Sequence, residues 1–136
     1  MNDVSKLTVG QVMTKAPRSI EPHQPVELAR KWMDELRVRH LPVRDSGKIV
    51  GILSDRDLNL VLGATTGSRG DTGPSVTVED AMISEVRSVA ESRQVGDVAR
   101  EMLEHHVGSV LVMGADGVLV GIFTDSDALR VLAGQV

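Results

Sequence analysis

Gly51 to Leu58 reads GILSDRDL, and Gly121 to Ala128 reads GIFTDSDA. In each stretch an apolar run stops at a hydroxyl residue, Ser54 or Thr124, and an aspartate follows three residues later, Asp57 or Asp127. The run fits a strand, and a hydroxyl followed at the fourth position by an acid fits the start of a helix. A strand that feeds a helix N-terminus, written twice, sets the frame for the rest of the chain.

Outward from this phrase the two copies hold one register. With Met13 set on Met82 the offset is 69, which also places Ser19 on Ser88, Val26 on Val95, Met33 on Met102 and Val43 on Val112. One extra residue near Ala115-Asp116 raises the offset to 70. Gly47, Gly51, Ile52, Asp55 and Asp57 then match Gly117, Gly121, Ile122, Asp125 and Asp127. Residue types that keep register across a whole unit mark an internal repeat.

Each repeat reads in the same way. A short helical turn (Val9–Met13; Val78–Met82) leads to a short strand (Arg18–Ile20; Arg87–Val89) and then a helix (Pro25–Leu36; Gln94–His105). Val26, Ala29, Met33 and Leu36 recur at helical spacing, as do Val95, Val98, Ala99, Met102 and Leu103. Two apolar strands follow, joined by Gly-bearing turns: His40–Arg44 to Lys48–Leu53, and Ser109–Met113 to Leu119–Phe123. A last helix begins at Ser54 or Thr124. The order β-α-β-β-α predicts a parallel strand pair extended by an antiparallel hairpin.

A unit of about 60 residues is marginal as a lone core. The expected fold is therefore mixed α/β: two tandem repeats, residues 1–63 and 76–136, packed sheet to sheet with pseudo-twofold symmetry. Between them residues 64–75, ATTGSRGDTGPS, carry the Gly, Ser and Thr content of a flexible linker.

Composition narrows the function. The 136 residues are 41% hydrophobic and 25% charged, ordinary for a globular protein. A net charge of −4 with both signs interspersed argues against a nucleic-acid partner. Trp32 and Phe123 are the only aromatic residues, too few for a stacking platform. Cysteine is absent, which excludes disulfides and thiolate metal sites. No apolar run approaches the roughly 20 residues of a membrane span, and the first residues lack a signal-peptide core, so a cytoplasmic setting is expected.

The repeated phrase admits two readings. In one, Ser54 with Asp57 and Thr124 with Asp127 are capping boxes, serving only their helices. In the other, the helix N-terminus attracts a phosphate, the hydroxyl donates to it, and the aspartate one turn on clamps a vicinal diol such as a ribose. Asp55-x-Asp57 and Asp125-x-Asp127 lack the third acid and the glycine of a calcium loop. His105-His106, adjacent on a helix, point about 100° apart and match no HExxH site. No P-loop, G-x-S-x-G or G-x-G-x-x-G occurs, so the chain is expected to be non-catalytic.

From VMTKAP through ELARKWM to RHLPVRDSGKIVGILSDRDL, and again from AMISEV to LVGIFTDSDAL, the chain resembles the cystathionine-β-synthase (CBS) domain, present as a pair. The resemblance implies a regulatory module that binds AMP, ADP, ATP or S-adenosylmethionine in clefts between the repeats, with Mg²⁺ entering only alongside a polyphosphate. It implies ribose contacts at Asp57 and Asp127, and phosphate or ribose contacts at Ser54 and Thr124. The adenine would lie against His40-Leu41-Pro42 in one site and Ser109-Val110-Leu111 in the other. The loops Thr14-Lys15-Ala16-Pro17 and Ile83–Val86 would close the base pocket.

The copies differ in charge. Lys15, Arg39, His40 and Arg56 in the first repeat stand where the second has Ser84, Gly108, Ser109 and Ser126, so phosphate would favour the Ser54–Asp57 site. Trp32, one turn from Leu28 and beside the core stripe, gives the first helix a second apolar face. Together with the habit of CBS pairs, it suggests a homodimer; alternatively Trp32 covers the sheet of its own chain. The partner that hears the signal is an unidentified protein. A ligand-free dimerisation module, or a sensor of S-adenosylmethionine or a dinucleotide, remains the alternative.

Overall fold

In the computed structural model, which describes residues 3–66 and 76–135, a 3-10 turn at Val4–Lys6 leads into α1 (Val9–Val12), β1 (Thr14–Lys15), α2 (Val26–Leu36), β2 (His40–Asp45), β3 (Lys48–Ser54) and α3 (Asp55–Thr66). The second half repeats the series as α4 (Val78–Ala81), β4 (Ser88–Ala90), α5 (Val95–His105), β5 (Ser109–Met113), β6 (Leu119–Thr124) and α6 (Asp125–Leu132). The architecture is mixed α/β, as the repeat pattern requires. Ala64–Thr66 of the expected linker continue α3, and residues 67–75 lie outside the described residues.

The periodicities hold in part: Leu36 and Leu103, expected on the core stripes, are 43% and 76% exposed. α2 buries Val26, Ala29 and Met33, and α5 buries Val95, Val98 and Met102. Both helices stop at a residue in the left-handed region, Arg37 (φ 57°) and His106 (φ 55°), after which Val38 and Val107 donate to the carbonyls of Met33 and Met102. The first hairpin turns through Ser46 (φ 53°) and Gly47 (φ 84°), the two positive φ values that a tight hairpin turn needs. The residue inserted in the second repeat falls in the longer turn from Gly114 to Val118.

Folding does not follow the boundaries of the repeats. One unit, here the sheet unit, is Met1–Pro17 with Arg87–Val136; the other, the hairpin unit, is Arg18–Val86. Matching backbone bonds make the exchange. In the sheet unit Val9 and Gly10 donate to the carbonyls of Arg93 and Glu91, and Val95 donates to Leu7. In the hairpin unit Val78 and Glu79 donate to Gln24 and Pro22, and Val26 donates to Val76. Each short helix thereby delivers its buried valine to a core dominated by the other repeat. Val9 joins Val98, Val110, Val112, Phe123 and Val131, and Val78 joins Ile20, Val26, Met33, Leu41, Val43, Leu53 and Leu58.

The sheet unit has four strands in the order β1-β6-β5-β4, with β4 and β5 parallel and the other pairs antiparallel. In the hairpin unit β2 and β3 pair antiparallel, and its flanking pairings are single bridges, Ile20 with Val43 and Ile52 with Ile83. The expected strand Arg18–Ile20 thus shrinks to one bridge, while its counterpart, expected at Arg87–Val89, forms as Ser88–Ala90. Proline explains the difference. In the sheet unit Leu111 donates to Arg87 and Glu91 donates to Met113. The equivalent positions are Pro42 and Pro22, which have no N–H to give.

Candidate functional site

In the hairpin unit the end of β3 lies beside the start of β2, because Ser54 pairs with His40. The N–H of Asp55 donates to the Arg39 carbonyl at 2.8 Å, tying the first residue of α3 to the strand entrance. The Ser54 hydroxyl donates to Asp57 Oδ2 at 2.8 Å and accepts from the Asp57 N–H at 3.1 Å. Asp57 is half-buried, and Arg39, whose carbonyl holds the start of α3, and Arg56, the residue before Asp57, are both exposed. Leu41 and Pro42 are buried, and the Pro42 carbonyl accepts from Ile20, so these two build the floor of the tip more than its surface.

The edge of this site is a strap from the second repeat. Ile83 exchanges two backbone bonds of 2.9 Å with Ile52 and keeps its side chain 49% exposed, an apolar surface next to a polar tip. Gly51 permits the approach: a Cβ there would lie 2.6 Å from Met82 Sδ and 2.8 Å from the Ile83 carbonyl oxygen. Val86, half-buried, closes the same segment.

The sheet unit repeats this plan with different bonds. Ser109 pairs with Thr124, Val110 is buried, and Asp125 N–H donates to the Gly108 carbonyl at 3.0 Å. Here the strap is β1, with Thr14 opposite Ile122 and Lys15 opposite Gly121. Ala16, at φ 45°, donates its N–H to Val120 and turns the chain toward Pro17. Asp127 is 3% exposed. Its Oδ2 accepts from the Thr124 N–H (3.0 Å) and hydroxyl (3.1 Å), and its Oδ1 accepts from the Thr14 hydroxyl (3.4 Å) and Arg130 (3.0 Å).

The straps therefore cross over. Thr14, Lys15, Ala16 and Pro17 belong with Thr124 and Asp127, whereas Ile83 and Val86 belong with Ser54 and Asp57. Lys15 falls in the sheet unit, whereas Arg39, His40 and Arg56, with which its place in the first repeat had grouped it, fall in the hairpin unit. Sequence reasoning missed Arg130, one helical turn beyond Asp127. The signal was available, because the matching position in the first repeat is Leu60.

Trp32 is half-buried against the hairpin unit's core, with the Arg18 guanidinium 4.2 Å from its ring centre. It borders a cleft of about 370 Å³ shared with Ser19, Gln24, Arg44 and Gly47, at the turn end of the hairpin and away from Ser54. His105 and His106 are exposed. Among the described residues no group of three or more His, Cys, Asp or Glu is placed to hold a metal ion, and no helix is long and apolar enough to cross a membrane.

With this geometry in place, comparison with known proteins is direct. A family model described as the CBS domain matches residues 9–63 and 78–134. The chain is 32% identical to CBS domain-containing protein CBSX2, chloroplastic, of Arabidopsis thaliana, over 90% of this chain and 62% of that protein. It is 29% identical to a CBS domain-containing protein of Dictyostelium discoideum, over 93% and 92% of the two chains. Two other curated relatives are much longer: the chain spans 43% of an uncharacterized protein of Methanocaldococcus jannaschii and 21% of an inosine-5'-monophosphate dehydrogenase of Thermoplasma acidophilum. Among solved structures, CBSX2 in complex with AMP superposes with a TM-score of 0.73 at 31% identity, covering 93% of this chain and 96% of that one. The CBS domain pair of protein MJ0100, in complex with 5'-methylthioadenosine and S-adenosyl-L-methionine, gives 0.80 at 26% identity, covering 95% and 98%.

Proposed function

The chain belongs to the CBS-domain family, and from that premise we propose that it is a regulatory, non-catalytic module that binds an adenosine ligand at the strand-to-helix tip of the hairpin unit. The observation that carries this reading is the pairing of Ser54 with Asp57 at the N-terminus of α3, under the Ile83 strap and beside Arg39 and Arg56. Asp57 would accept both hydroxyls of the ribose. The first-turn N–H groups of α3, with the helix dipole behind them, would receive phosphate. The exposed Ile83 side chain would cover one face of the base, and backbone groups of the strap and of His40 would meet its edge.

Two relatives solved with AMP, or with 5'-methylthioadenosine and S-adenosyl-L-methionine, support the adenosine part of the reading. AMP, ADP, ATP and S-adenosylmethionine are the candidate ligands, and Mg²⁺ would accompany only a polyphosphate. The signal passes to a protein partner through the ordering of the tip. Exposed leucines on the helices, Leu36 and Leu60 in one unit and Leu103, Leu129 and Leu132 in the other, support association as a homodimer.

A thermal-shift panel of AMP, ATP, 5'-methylthioadenosine, S-adenosylmethionine and GMP tests the reading. Ligand at a hundred times its dissociation constant adds about 2.7 kcal/mol, worth a few degrees in Tm for a chain of this size. An adenosine compound that raises Tm supports the reading. A panel in which none does so rejects it.

A further inference from the structure

The two tips share a sequence pattern but differ in what their carboxylates have left to offer. A carboxylate has about four acceptor positions. Asp127 receives four donors from its own chain: the Thr124 N–H and hydroxyl on Oδ2, the Thr14 hydroxyl and the Arg130 guanidinium on Oδ1. It is also buried, at 3% exposure. Asp57, among the described residues, receives the Ser54 hydroxyl on Oδ2 and no donor on Oδ1, and it is half-buried. The cation that fills Asp127 has no counterpart, because Leu60 stands where Arg130 would be and points 68% of its surface to solvent.

Charge divides the tips in the same direction. Arg39 and Arg56 are exposed beside the Ser54–Asp57 tip, and neither makes an ion pair with another described residue. Gly108 and Ser126 hold those places beside Thr124. A diol arriving at Asp127 would have to displace Thr14 or Arg130, exchanging bonds already made for bonds of the same kind, with little net gain. A diol arriving at Asp57 gains bonds to an unused oxygen, and a phosphate arriving there can draw charge-assisted bonds from the exposed Arg39 and Arg56 at the ends of the same strand-to-helix tip.

We propose that the chain binds a single phosphorylated adenosine ligand, at the Ser54–Asp57 tip, and that the Thr124–Asp127 tip is a structural clasp holding β1 against α6 through Thr14. The inference rests on the adenosine-binding reading and assigns it one site and one charge class.

Isothermal titration of the full chain with AMP and with adenosine tests it, using wild type, Asp57→Asn, Asp127→Asn and the pair Arg39→Gln/Arg56→Gln. The expected result is one AMP per chain. Asp57→Asn should weaken it about tenfold or more, the loss typical of a bond to a charged group. Asp127→Asn should keep the stoichiometry and hold affinity within about twofold while lowering Tm. AMP should bind more tightly than adenosine, and the gap should close in the double arginine variant. Two AMP per chain, equal affinity for AMP and adenosine, or binding lost with Asp127→Asn and kept with Asp57→Asn would overturn the inference and leave the adenosine reading standing. If Asp127→Asn does not fold, Arg130→Gln takes its place and the wild-type stoichiometry still decides. No heat from AMP, 5'-methylthioadenosine or S-adenosylmethionine overturns both.

Discussion

A β-carbon built on Gly121 would stand 2.8 Å from the carbonyl oxygen of Thr14, and one built on Gly51 would stand 2.8 Å from that of Ile83. In both units the strand that leads to the tip thus carries a glycine where the strap crosses it. Backbone cannot retreat as a flexible side chain can. Gly51→Ala and Gly121→Ala should each cost about 1–3 kcal/mol, the range for forcing extra atoms into a packed contact. Urea denaturation of the two variants measures the loss, and an unchanged midpoint in either would show that its strap does not sit where the structure places it.

The clasp at Asp127 makes a separate prediction. Asp127→Ala removes the acceptor for four donors in a buried place and should destabilise the fold by about 2–3 kcal/mol. Thr124→Ala, which loses the helix cap and one of those donors, should cost about 1 kcal/mol. Ser54→Ala should cost about as much as Thr124→Ala, since both hydroxyls accept from the helix N–H three residues on, at 3.1 and 3.2 Å. Chemical denaturation separates these values. Equal losses for Asp57→Ala and Asp127→Ala would contradict the difference drawn between the two tips.

The strap of the hairpin unit hangs on the cap of α4. Asp80 accepts from the Thr77 N–H at 3.1 Å and hydroxyl at 2.9 Å, and these bonds hold its carboxyl below the ordinary value of 3.8. A carboxyl depressed in the folded state adds stability that is present above its unfolded pKa and is lost as pH falls through the folded one. An NMR titration of the Asp80 side chain should therefore show a midpoint below 3.8, moving up in Thr77→Ala. The Thr77 N–H bond, the larger cause, survives that substitution, so the rise should be partial; a midpoint that does not respond would remove the Thr77 hydroxyl as a cause.

Association is testable in solution. Sedimentation velocity at tens of micromolar should show a dimer, and Leu129→Glu with Leu132→Glu on the exposed side of α6 should shift it toward monomer. A wild-type chain that sediments as monomer at those concentrations contradicts the homodimer.

Much of the fold is legible in the sequence because its signals are local. The stripes Val26-Ala29-Met33 and Val95-Val98-Met102 are helix periodicity, and Ser46-Gly47 is turn chemistry, each complete within a few residues. What the sequence hides depends on distant partners. β1 is two residues long, too short to show alternation, and exists because Thr14 meets Ile122. The loss of the strand at Arg18–Ile20 required knowing that Pro22 and Pro42 replace the donors Glu91 and Leu111 of the other copy. The site residues are legible as types, since Ser54, Asp57, Thr124 and Asp127 stand at helix tips where the pattern puts them. Their bonding is not. Which strap joins which tip is a matter of packing, and it moves Lys15 to one unit and Ile83 to the other.

The central claim, that an adenosine ligand sits at the Ser54–Asp57 tip, is tested most directly by titrating isotope-labelled chain with AMP and following backbone amide shifts. The account predicts that the perturbed amides cluster at Arg39–Leu41, Ser54–Leu58 and Ile83, with those around Thr124 and Asp127 left in place. Shifts confined to other parts of the chain, such as the cleft beside Trp32, or no shifts at saturating AMP, 5'-methylthioadenosine and S-adenosylmethionine, would contradict it.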